Sequence, residues 1–360
     1  MPAPLSLVIT LATGAAGPIF EDTPSTPDLY PSRQAYLPAH PVAPDVWRIT
    51  TPLSFVPREV HAYLVRLQAD RWMLVDGGIG TEEAWEALDA GVTEAAGGWN
   101  GVCLHVITHM HVDHVGLAVR ALRAAPAPLA MGALDAERMA FAAANPEDEA
   151  AYRASLLRRA GAPEEMVRAV EATISGSKAL APPFAADVLL RGEDGDLPGA
   201  PGWRWVWTPG HTAGHVSLHR PADGVLIAGD AVLPRITPTL GVNRQRADPV
   251  GDYVAALERL EALAPVLVLG GHGAPTGPQR IRELRDAAEA ETEAIDACLD
   301  GGPMSTWEVV KVRYPGRELA PSTRMLAIRE TRAHLDRLAA AGRAVVHPSP
   351  DGAEIFTRPS

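Results

Sequence analysis

Three histidines and an aspartate crowd into one short segment, His109-Met110-His111-Val112-Asp113-His114, and this segment constrains the fold more than any other feature. It follows the apolar run of residues 102–107, and a short β-rich run of this kind is typical of a buried strand. Alternate residues of an extended segment share a face, so His109 and His111 can contact one metal ion. Asp113 and His114 lie beyond the expected bend and can contact a second ion. The sequence therefore predicts a metal site at the end of a strand.

Four further candidate residues of the site come later in the chain: His211, His215, Asp230 and His272. They lie at or just beyond short apolar runs at residues 205–207, 225–228 and 266–269. Side chains carried on the ends of several strands converge on one edge of a sheet, and glycines beside them let the backbone approach bound ions closely. We therefore expect these side chains to join the first group. Asp76, in an early Leu-Val-Asp-Gly-Gly motif, adds another carboxylate after a predicted strand.

The order of these motifs resembles that of the metallo-β-lactamase-fold hydrolases across residues 41–276. The resemblance implies an α/β fold, namely the four-layer αβ/βα metallo-β-lactamase sandwich. The segment from Thr208 to His215 is similar to the pattern of glyoxalase II-like members, although other branches of the family share it. The basic C-terminal glutathione site of glyoxalase II is not recognisable in this sequence.

The resemblance also implies a dinuclear metal centre. Its implied ligands are imidazoles and carboxylates: His109, His111 and His215 for one ion, Asp113, His114 and His272 for the other, and Asp230 as the bridge between them. Asp113 and Asp230 are the expected catalytic carboxylates, because Asp113 can also take up a proton during turnover. Asp76 and His211 are expected to support the ligands without contacting the ions. Zinc suits this shell, and iron or manganese are alternatives, because imidazole and carboxylate discriminate weakly among them.

Two nearby divalent ions lower the pKa of a shared water from near 16 towards ~7, so a bridging hydroxide exists at neutral pH. Hydrolysis of a small ester, lactone or thioester is the leading expectation. The classical β-lactamases of this family lack the bridging aspartate, so Asp230 argues against that activity. A phosphodiesterase or ribonuclease of the same fold, or a metal-dependent oxidase, are the alternatives. Arg235 and Arg244, in the loop after Asp230, are candidates to hold an anionic group of the substrate or to form structural salt bridges.

The chain divides into three parts by composition. Residues 1–44 predict an irregular, proline-rich N-terminal arm, and residues 45–277 the metallo-β-lactamase-fold core. A helical insertion at about residues 133–180 is expected to form one wall of the substrate pocket. Residues 278–360 predict helices followed by a hairpin, which resembles the winged-helix appendage of some family members.

Composition limits the partners. The net charge is −12, and lysine occurs only at positions 178 and 311, which argues against binding nucleic acid. Residues 278–360 are expected to pack against the core or to mediate a homodimer contact. No segment has the length of a membrane span, and residues 5–17 lack the positive leading region of a signal peptide. The only two cysteines, Cys103 and Cys298, predict no disulfide framework and suit a reduced, cytoplasmic setting.

Overall fold

A computed structural model describes residues 39–173, 180–315 and 321–359, together with two short paired strands, β1 (Ile9–Thr10) and β2 (Ile19–Phe20). Most of the predicted N-terminal arm therefore lies outside the described residues. Its last part differs from the prediction, because residues 40–43 form a strand at the edge of a sheet. Pro41 is compatible with this strand, since an edge strand leaves one side of its backbone unpaired.

The first sheet has seven strands whose spatial order follows the chain: β3 (His40–Ala43), β4 (Val46–Pro52), β5 (Glu59–Gln68), β6 (Arg71–Val75), β7 (Val102–Ile107), β8 (Leu129–Gly132) and β9 (Val188–Leu190). Strands β3 to β6 pair antiparallel, and β6 to β9 pair parallel. Both faces of this sheet are covered. In β5, for example, Tyr63 and Val65 face one core while Ala62 and Leu64 face another, as the two-residue period of a strand requires.

The second sheet has five strands: β10 (Asp194–Asp196), β11 (Arg204–Trp207), β12 (Val216–Arg220), β13 (Val225–Gly229) and β14 (Leu267–Gly270). Only its last pair, β13 and β14, is parallel. The two sheets pack face to face through one apolar core, to which Val65 and Val106 of the first sheet and Leu218 and Ile227 of the second contribute.

Helices cover the outer faces of both sheets. The described helices are α1 (Glu82–Ala96), α2 (Val112–Val115), α3 (Ala118–Ala124), α4 (Ala133–Ala144), α5 (Pro146–Arg159), α6 (Glu164–Thr173), α7 (Pro249–Ala262), α8 (Gln279–Cys298), α9 (Thr306–Arg313) and α10 (Pro321–Ala340). Helix α1 packs on the first sheet, while α7 and α8 pack on the second. The layers are helix, sheet, sheet and helix, which confirms the predicted four-layer sandwich.

The helical insertion forms three helices, α4 to α6, and they break at residue 145 and at residues 160–163, beside Pro146 and Pro163. Helices α5 and α6 do not pack only on the core. Leu157 and Val167 of the insertion share an apolar cluster with Val310 and Ile328 of α9 and α10. The insertion is therefore fixed between the metal-binding edge of the core and the C-terminal helices.

The C-terminal region joins α8, α9 and α10 to a small antiparallel sheet with the order β15 (Met304–Ser305), β17 (Glu354–Thr357) and β16 (Val345–Pro348). The sequence helix–strand–helix–helix–hairpin matches the predicted winged-helix-like appendage. A capping box of Ser305 and Glu308 begins α9. Helix α8 packs at its start on α7 and at its end on α10, so the predicted division of the chain at residue 278 stays a prediction. No helix in the described segments combines the length and apolar character that crossing a bilayer requires.

Candidate metal centre

The first group of candidate ligands lies where β7 ends. Thr108 follows the strand, and the chain turns through residues 109–111 into α2, which carries Asp113 and His114. The ring centroids of His109 and His114 are 4.1 Å apart, and Nε2 of His109 lies 3.1 Å from Nδ1 of His111. These side chains therefore share one small volume at the edge of the sheet.

The second group comes from the ends of strands in the facing sheet. His211 lies beyond β11, Asp230 follows β13, and His272 lies just beyond β14. The Asp230 carboxylate is surrounded by imidazole nitrogens, with Nε2 of His114 at 3.4 Å, Nε2 of His272 at 3.4 Å and Nε2 of His211 at 3.6 Å. Gly271 permits this crowding, because a Cβ at its position would collide with the Asp230 carboxylate.

The spacing of these atoms fits divalent metal ions. Separations of 3.4–3.6 Å are longer than ordinary hydrogen bonds. Two ligand atoms of a tetrahedral zinc are about 3.4 Å apart, given bond lengths of about 2.0–2.2 Å. Three sets of side chains have ligand atoms that all lie within 4.8 Å of one another: His109 with His111 and His211; His109 with His114 and Asp230; and Asp113 with His114 and His272. This donor set fits the binding of divalent cations.

Three of the imidazoles are held by a hydrogen bond from the nitrogen that faces away from the cluster. Nδ1 of His114 donates to Asp76 over 2.8 Å, and Nδ1 of His272 donates to the Glu59 carbonyl over 2.7 Å. Nδ1 of His211 donates to the Thr239 carbonyl over 3.0 Å. Each bond places a proton on Nδ1, so Nε2 is the nitrogen that faces the cluster and that can bind an ion once it is deprotonated.

Asp76 also orders the backbone of the ligand segment, which is the role the sequence predicted for it. Its second oxygen accepts the N–H of Thr108 over 2.8 Å, and the Thr108 hydroxyl donates to the oxygen that His114 uses. The residue is buried and has φ of 59°, so the turn after β6 aims its carboxylate at β7. The contact ties the end of β6 to the end of β7.

Burial and neighbouring charges shift the pKa values in this cluster in opposite directions. Burial lowers the pKa of His111 to about 3. Burial disfavours the charged form of His272, but the carboxylates of Asp230 and Asp113 outweigh it and raise its pKa to about 10. Burial likewise disfavours the Asp113 carboxylate, yet the His114 and His272 imidazoles hold its pKa at about 2. The carboxylates are therefore ionised at neutral pH, which is the state that binds a divalent cation.

The hydrogen bonds of His211 and His215 bear on their expected roles, which stay predictions. His215 is buried, and both of its ring nitrogens have partners: Nδ1 bonds to the Thr208 hydroxyl over 2.7 Å, and Nε2 accepts the backbone N–H of Asp230 over 3.0 Å. His211 instead has a buried Nε2 with no hydrogen-bond partner among the described residues, and its ring lies 4.4 Å from that of His111. In this structure the ring with an unpartnered Nε2 beside the cluster is therefore that of His211, and its use as a ligand is a matter for proposal.

Asp135 is a buried residue of the site that the sequence did not identify. Its carboxylate accepts the backbone N–H of Met110 over 2.9 Å, the Thr212 hydroxyl over 2.6 Å and the backbone N–H of Gly214 over 2.7 Å. It thus ties the segment after β7 to the segment after β11. The sequence feature that could have identified Asp135 is its position just after β8. Strand β8 is parallel to β7 and ends at the same edge of the sheet.

A cavity of about 460 Å³ opens beside the metal cluster and includes His111 in its lining. Its walls come from the ligand segment, from α4 and α5, from residues 181–184, from residues 242–244 and from α10. Met139 and Tyr152 of the insertion line it, as expected for a pocket wall, whereas Met166 is buried between helices. The volume lies within the range of small-molecule sites.

The two arginines predicted to hold an anion have different positions. Arg244 lines the cavity, where it bonds to Asp148 and lies over the Tyr152 ring at 4.3 Å from its centroid. Arg235 is exposed and is not part of this lining. The anion-binding role of Arg235 stays a prediction, and the loop after Asp230 reaches the cavity at residues 242–244.

Comparisons with known proteins agree with this architecture. The sequence profile described as the metallo-beta-lactamase superfamily matches residues 56–272. The "Probable metallo-hydrolase YqjP" of Bacillus subtilis strain 168 is 29% identical over 315 residues, covering 82% of this chain and 92% of that protein. The hydroxyacylglutathione hydrolase of Maricaulis maris strain MCS10 is 32% identical over 96 residues, which are 25% of this chain and 36% of that enzyme.

Two solved structures share the fold over most of the chain. A metallo-beta-lactamase family protein from Thermus thermophilus superposes with a TM-score of 0.74 at 28% identity, covering 89% of this chain and 100% of its own. A beta-lactamase domain protein from Burkholderia ambifaria gives a TM-score of 0.74 at 28% identity, covering 89% of this chain and 93% of its own. Since the profile spans more than half of the chain and ends at the last histidine of the cluster, the chain belongs to the metallo-beta-lactamase superfamily of metal-dependent hydrolases.

Proposed function

We propose that this chain is a dinuclear metal-dependent hydrolase that acts on a small ester, lactone or thioester. The observation that carries the proposal is the position of the Asp230 carboxylate, whose oxygens lie 3.4–3.6 Å from the imidazoles of His114, His211 and His272. A carboxylate can bind two cations through its two oxygens, whereas a neutral imidazole cannot. Bound divalent ions would supply Lewis acidity and an ionised water near neutral pH.

The proposal gives each residue of the cluster a role. The ligands are assigned as His109, His111 and His211 for one ion, Asp113, His114 and His272 for the other, and Asp230 shared between them. We take zinc as the ion, with iron or manganese as alternatives for the same ligands. Asp113 is less enclosed than the buried histidines around it and is the candidate to hold a proton during turnover.

The cavity supports a small organic substrate. Beside His111 its lining is apolar, with Met110, Val112 and Met139, so the acyl part of an ester would replace water there. A tight apolar wall next to the ligands suits attack on a carbonyl carbon. The carbonyl oxygen would then lie against the cluster, where positive charge stabilises the developing negative charge.

Charge pairing argues against nucleic acid as the substrate. The C-terminal region holds many arginines, and binding a polyanion requires several of them to be available. In the described residues the following are already paired with carboxylates: Arg313 with Glu291, Arg332 with Glu354, Arg337 with Asp248, Arg343 with Asp296 and Arg358 with Asp300. This pairing supports a role of the region in packing or in a homodimer contact.

A substrate screen with a matched pair of variants tests the proposal. Zinc- or manganese-loaded protein should hydrolyse p-nitrophenyl esters, thioesters or lactones with a higher kcat/KM than bis-p-nitrophenyl phosphate or RNA. Asp230→Asn should lower metal content and reduce kcat/KM by more than about 100-fold. Asp223→Asn, which changes an Asp paired with Arg220 in the turn between β12 and β13, is the control and should change neither. Salt-sensitive RNA cleavage as the fastest reaction would contradict the proposal.

The organisation of the chain is part of the proposal as well. Residues 45–277 would form the catalytic core and residues 278–360 the appended region. Cys103 and Cys298 form no disulfide, which supports a reducing, cytoplasmic location. Light scattering coupled to size exclusion tests the homodimer, and a mass of one chain at micromolar concentration would contradict it.

A further inference from the structure

The cavity beside the metal cluster carries a concentration of positive charge that catalysis at a carbonyl does not require. Four arginines line it: Arg138 of α4, Arg153 of α5, Arg244 of the loop after Asp230, and Arg329 of α10. They are separate in sequence, so three different parts of the fold bring this arginine cluster together. The insertion, the loop and the C-terminal region each contribute.

The carboxylates near the arginine cluster do not neutralise it. Glu149 pairs with both Arg138 and Arg153, and Asp148 pairs with Arg244. In the part of the chain that the structure describes, Arg329 has no carboxylate at ion-pair distance, and its guanidinium donates to the Val242 carbonyl over 3.2 Å. The four arginines of the cluster are therefore paired with only two carboxylates. The remaining positive charge lies inside the cavity.

Without a bound anion, the unneutralised positive charge in this cavity is energetically unfavourable. Burial lowers the pKa of Arg329, and the positive charges of Arg153 and Arg138 lower it further. Arg138 is strongly enclosed, with 12% of its side chain exposed, and its Nη1 has no hydrogen-bond partner among the described residues. Buried charged donors normally find partners, and an incoming anion would provide one.

Guanidinium groups bind carboxylate and phosphate through paired N–H donors. The same cavity is also lined by His111 and by apolar side chains, among them Met139 and Phe184. A ligand that fills it would thus combine a negative group for the arginines, an apolar part and a reactive group near His111. An anionic ester has this arrangement, while a neutral ester does not.

We propose that the arginine cluster binds the carboxylate or phosphate of an anionic substrate whose scissile ester or thioester bond lies beside His111. The inference rests on the proposed function for the scissile bond and adds the class of substrate. Arg329 contributes the charge that no carboxylate of the described chain neutralises, so it is the residue on which recognition of the anion depends most.

Paired substrates of equal length test the preference for an anion. Mono-p-nitrophenyl adipate should be hydrolysed with a kcat/KM at least about tenfold above that of p-nitrophenyl hexanoate, mainly through a lower KM. A corresponding ester with a terminal phosphate shows which anion is preferred. Arg329→Met should abolish the preference while keeping the apolar stem, and Arg204→Met, a change on an exposed strand, should keep it. Equal kcat/KM for the charged and neutral esters would overturn the proposal.

A binding experiment separates this inference from the proposed function. Hexanoate, hexyl phosphate and hexanol are titrated into the metal-free protein by calorimetry. We expect the anions to bind at least about tenfold more tightly than hexanol, and Arg329→Met to remove the difference. If the circular dichroism spectrum of Arg329→Met is non-native, the Arg138→Met variant is used in its place. Anion binding without ester hydrolysis would refute the proposed function and leave the arginine cluster as a binding site, whereas hexanol binding as tightly as hexanoate would refute the site.

Discussion

Replacing Asp76 by Asn should weaken one metal position through the tautomer of a histidine. Both carboxylate oxygens of Asp76 accept an N–H: one from the Thr108 backbone and one from Nδ1 of His114, each at 2.8 Å. An Asn side chain has the same shape but only one accepting oxygen. Its amide nitrogen must therefore face either the Thr108 backbone or the His114 ring.

The cost of each orientation decides which one forms. A buried backbone N–H left without an acceptor costs about 1–3 kcal/mol, and the Thr108 N–H cannot change its character. The His114 ring can change, because its proton can move from Nδ1 to Nε2. We therefore expect the Asn oxygen to accept from Thr108 and the Asn amide to donate to Nδ1 of His114. In the neutral ring, Nε2 then carries the proton. It no longer offers a lone pair to an ion beside Asp230.

The expected consequence is a loss of affinity at the position that His114 serves. Changing a hydrogen-bond partner of a ligand typically costs 10–100-fold in metal affinity, or about 1.4–2.7 kcal/mol. Competition with a chromophoric chelator should show one zinc bound with nearly unchanged affinity and a second bound about 10–100-fold more weakly.

Asp135→Asn is the matched control, since Asp135 is also buried and accepts two backbone N–H groups and a hydroxyl, but touches no ligand ring. It should lower stability with a smaller effect on the second zinc. Equal affinities for the second zinc in Asp76→Asn and in the unmodified protein would refute the reasoning.

Two further predictions concern other histidines. His211→Ala should lose one metal equivalent. His215→Ala should keep both metal ions and lower stability, because His215 accepts the Asp230 N–H. Elemental analysis that shows the opposite pattern would restore His215 as the ligand. Burial lowers the pKa of His334 to about 3, so the folded protein resists the proton that the unfolded chain takes up below about 6.5. The free energy of unfolding should therefore fall as the pH drops from 7 to 5. In urea unfolding, His334→Gln should remove about 2 kcal/mol of this loss. Parallel pH profiles of stability for the variant and the unmodified protein would contradict the prediction.

Much of the fold follows from local sequence signals. The apolar runs before each metal-binding motif are strands, and the breaks at residues 145 and 160–163 are where the insertion helices end. These features depend on neighbouring residues, so periodicity and proline positions suffice to predict them. Strand His40–Ala43 was missed because proline-rich sequence suggests irregular structure, and only its pairing with β4 makes it a strand.

The roles of His211 and His215 depend on distant contacts that the sequence does not show. Both histidines lie in one short glycine-rich motif, and either could reach an ion when only spacing is considered. The two histidines differ in their hydrogen-bond partners. Thr239 holds His211 with Nε2 towards the cluster, while the Asp230 N–H uses the equivalent nitrogen of His215. Asp135 was missed for a related reason, because its three partners lie at least 25 residues away in the chain.

The C-terminal region takes part in the substrate site, which follows from the packing of α10. Met325 and Arg329 of this helix line the cavity that also contains His111, and Ile328 between them packs against the insertion. The backbone N–H of Val242 donates to the Arg329 carbonyl, which ties α10 to the loop that leaves Asp230. A core lacking residues 278–360 would retain every proposed metal ligand but lose one wall of the cavity. The proposed metal ligands thus all lie within residues 45–277, whereas the lining of the proposed substrate cavity also includes α10.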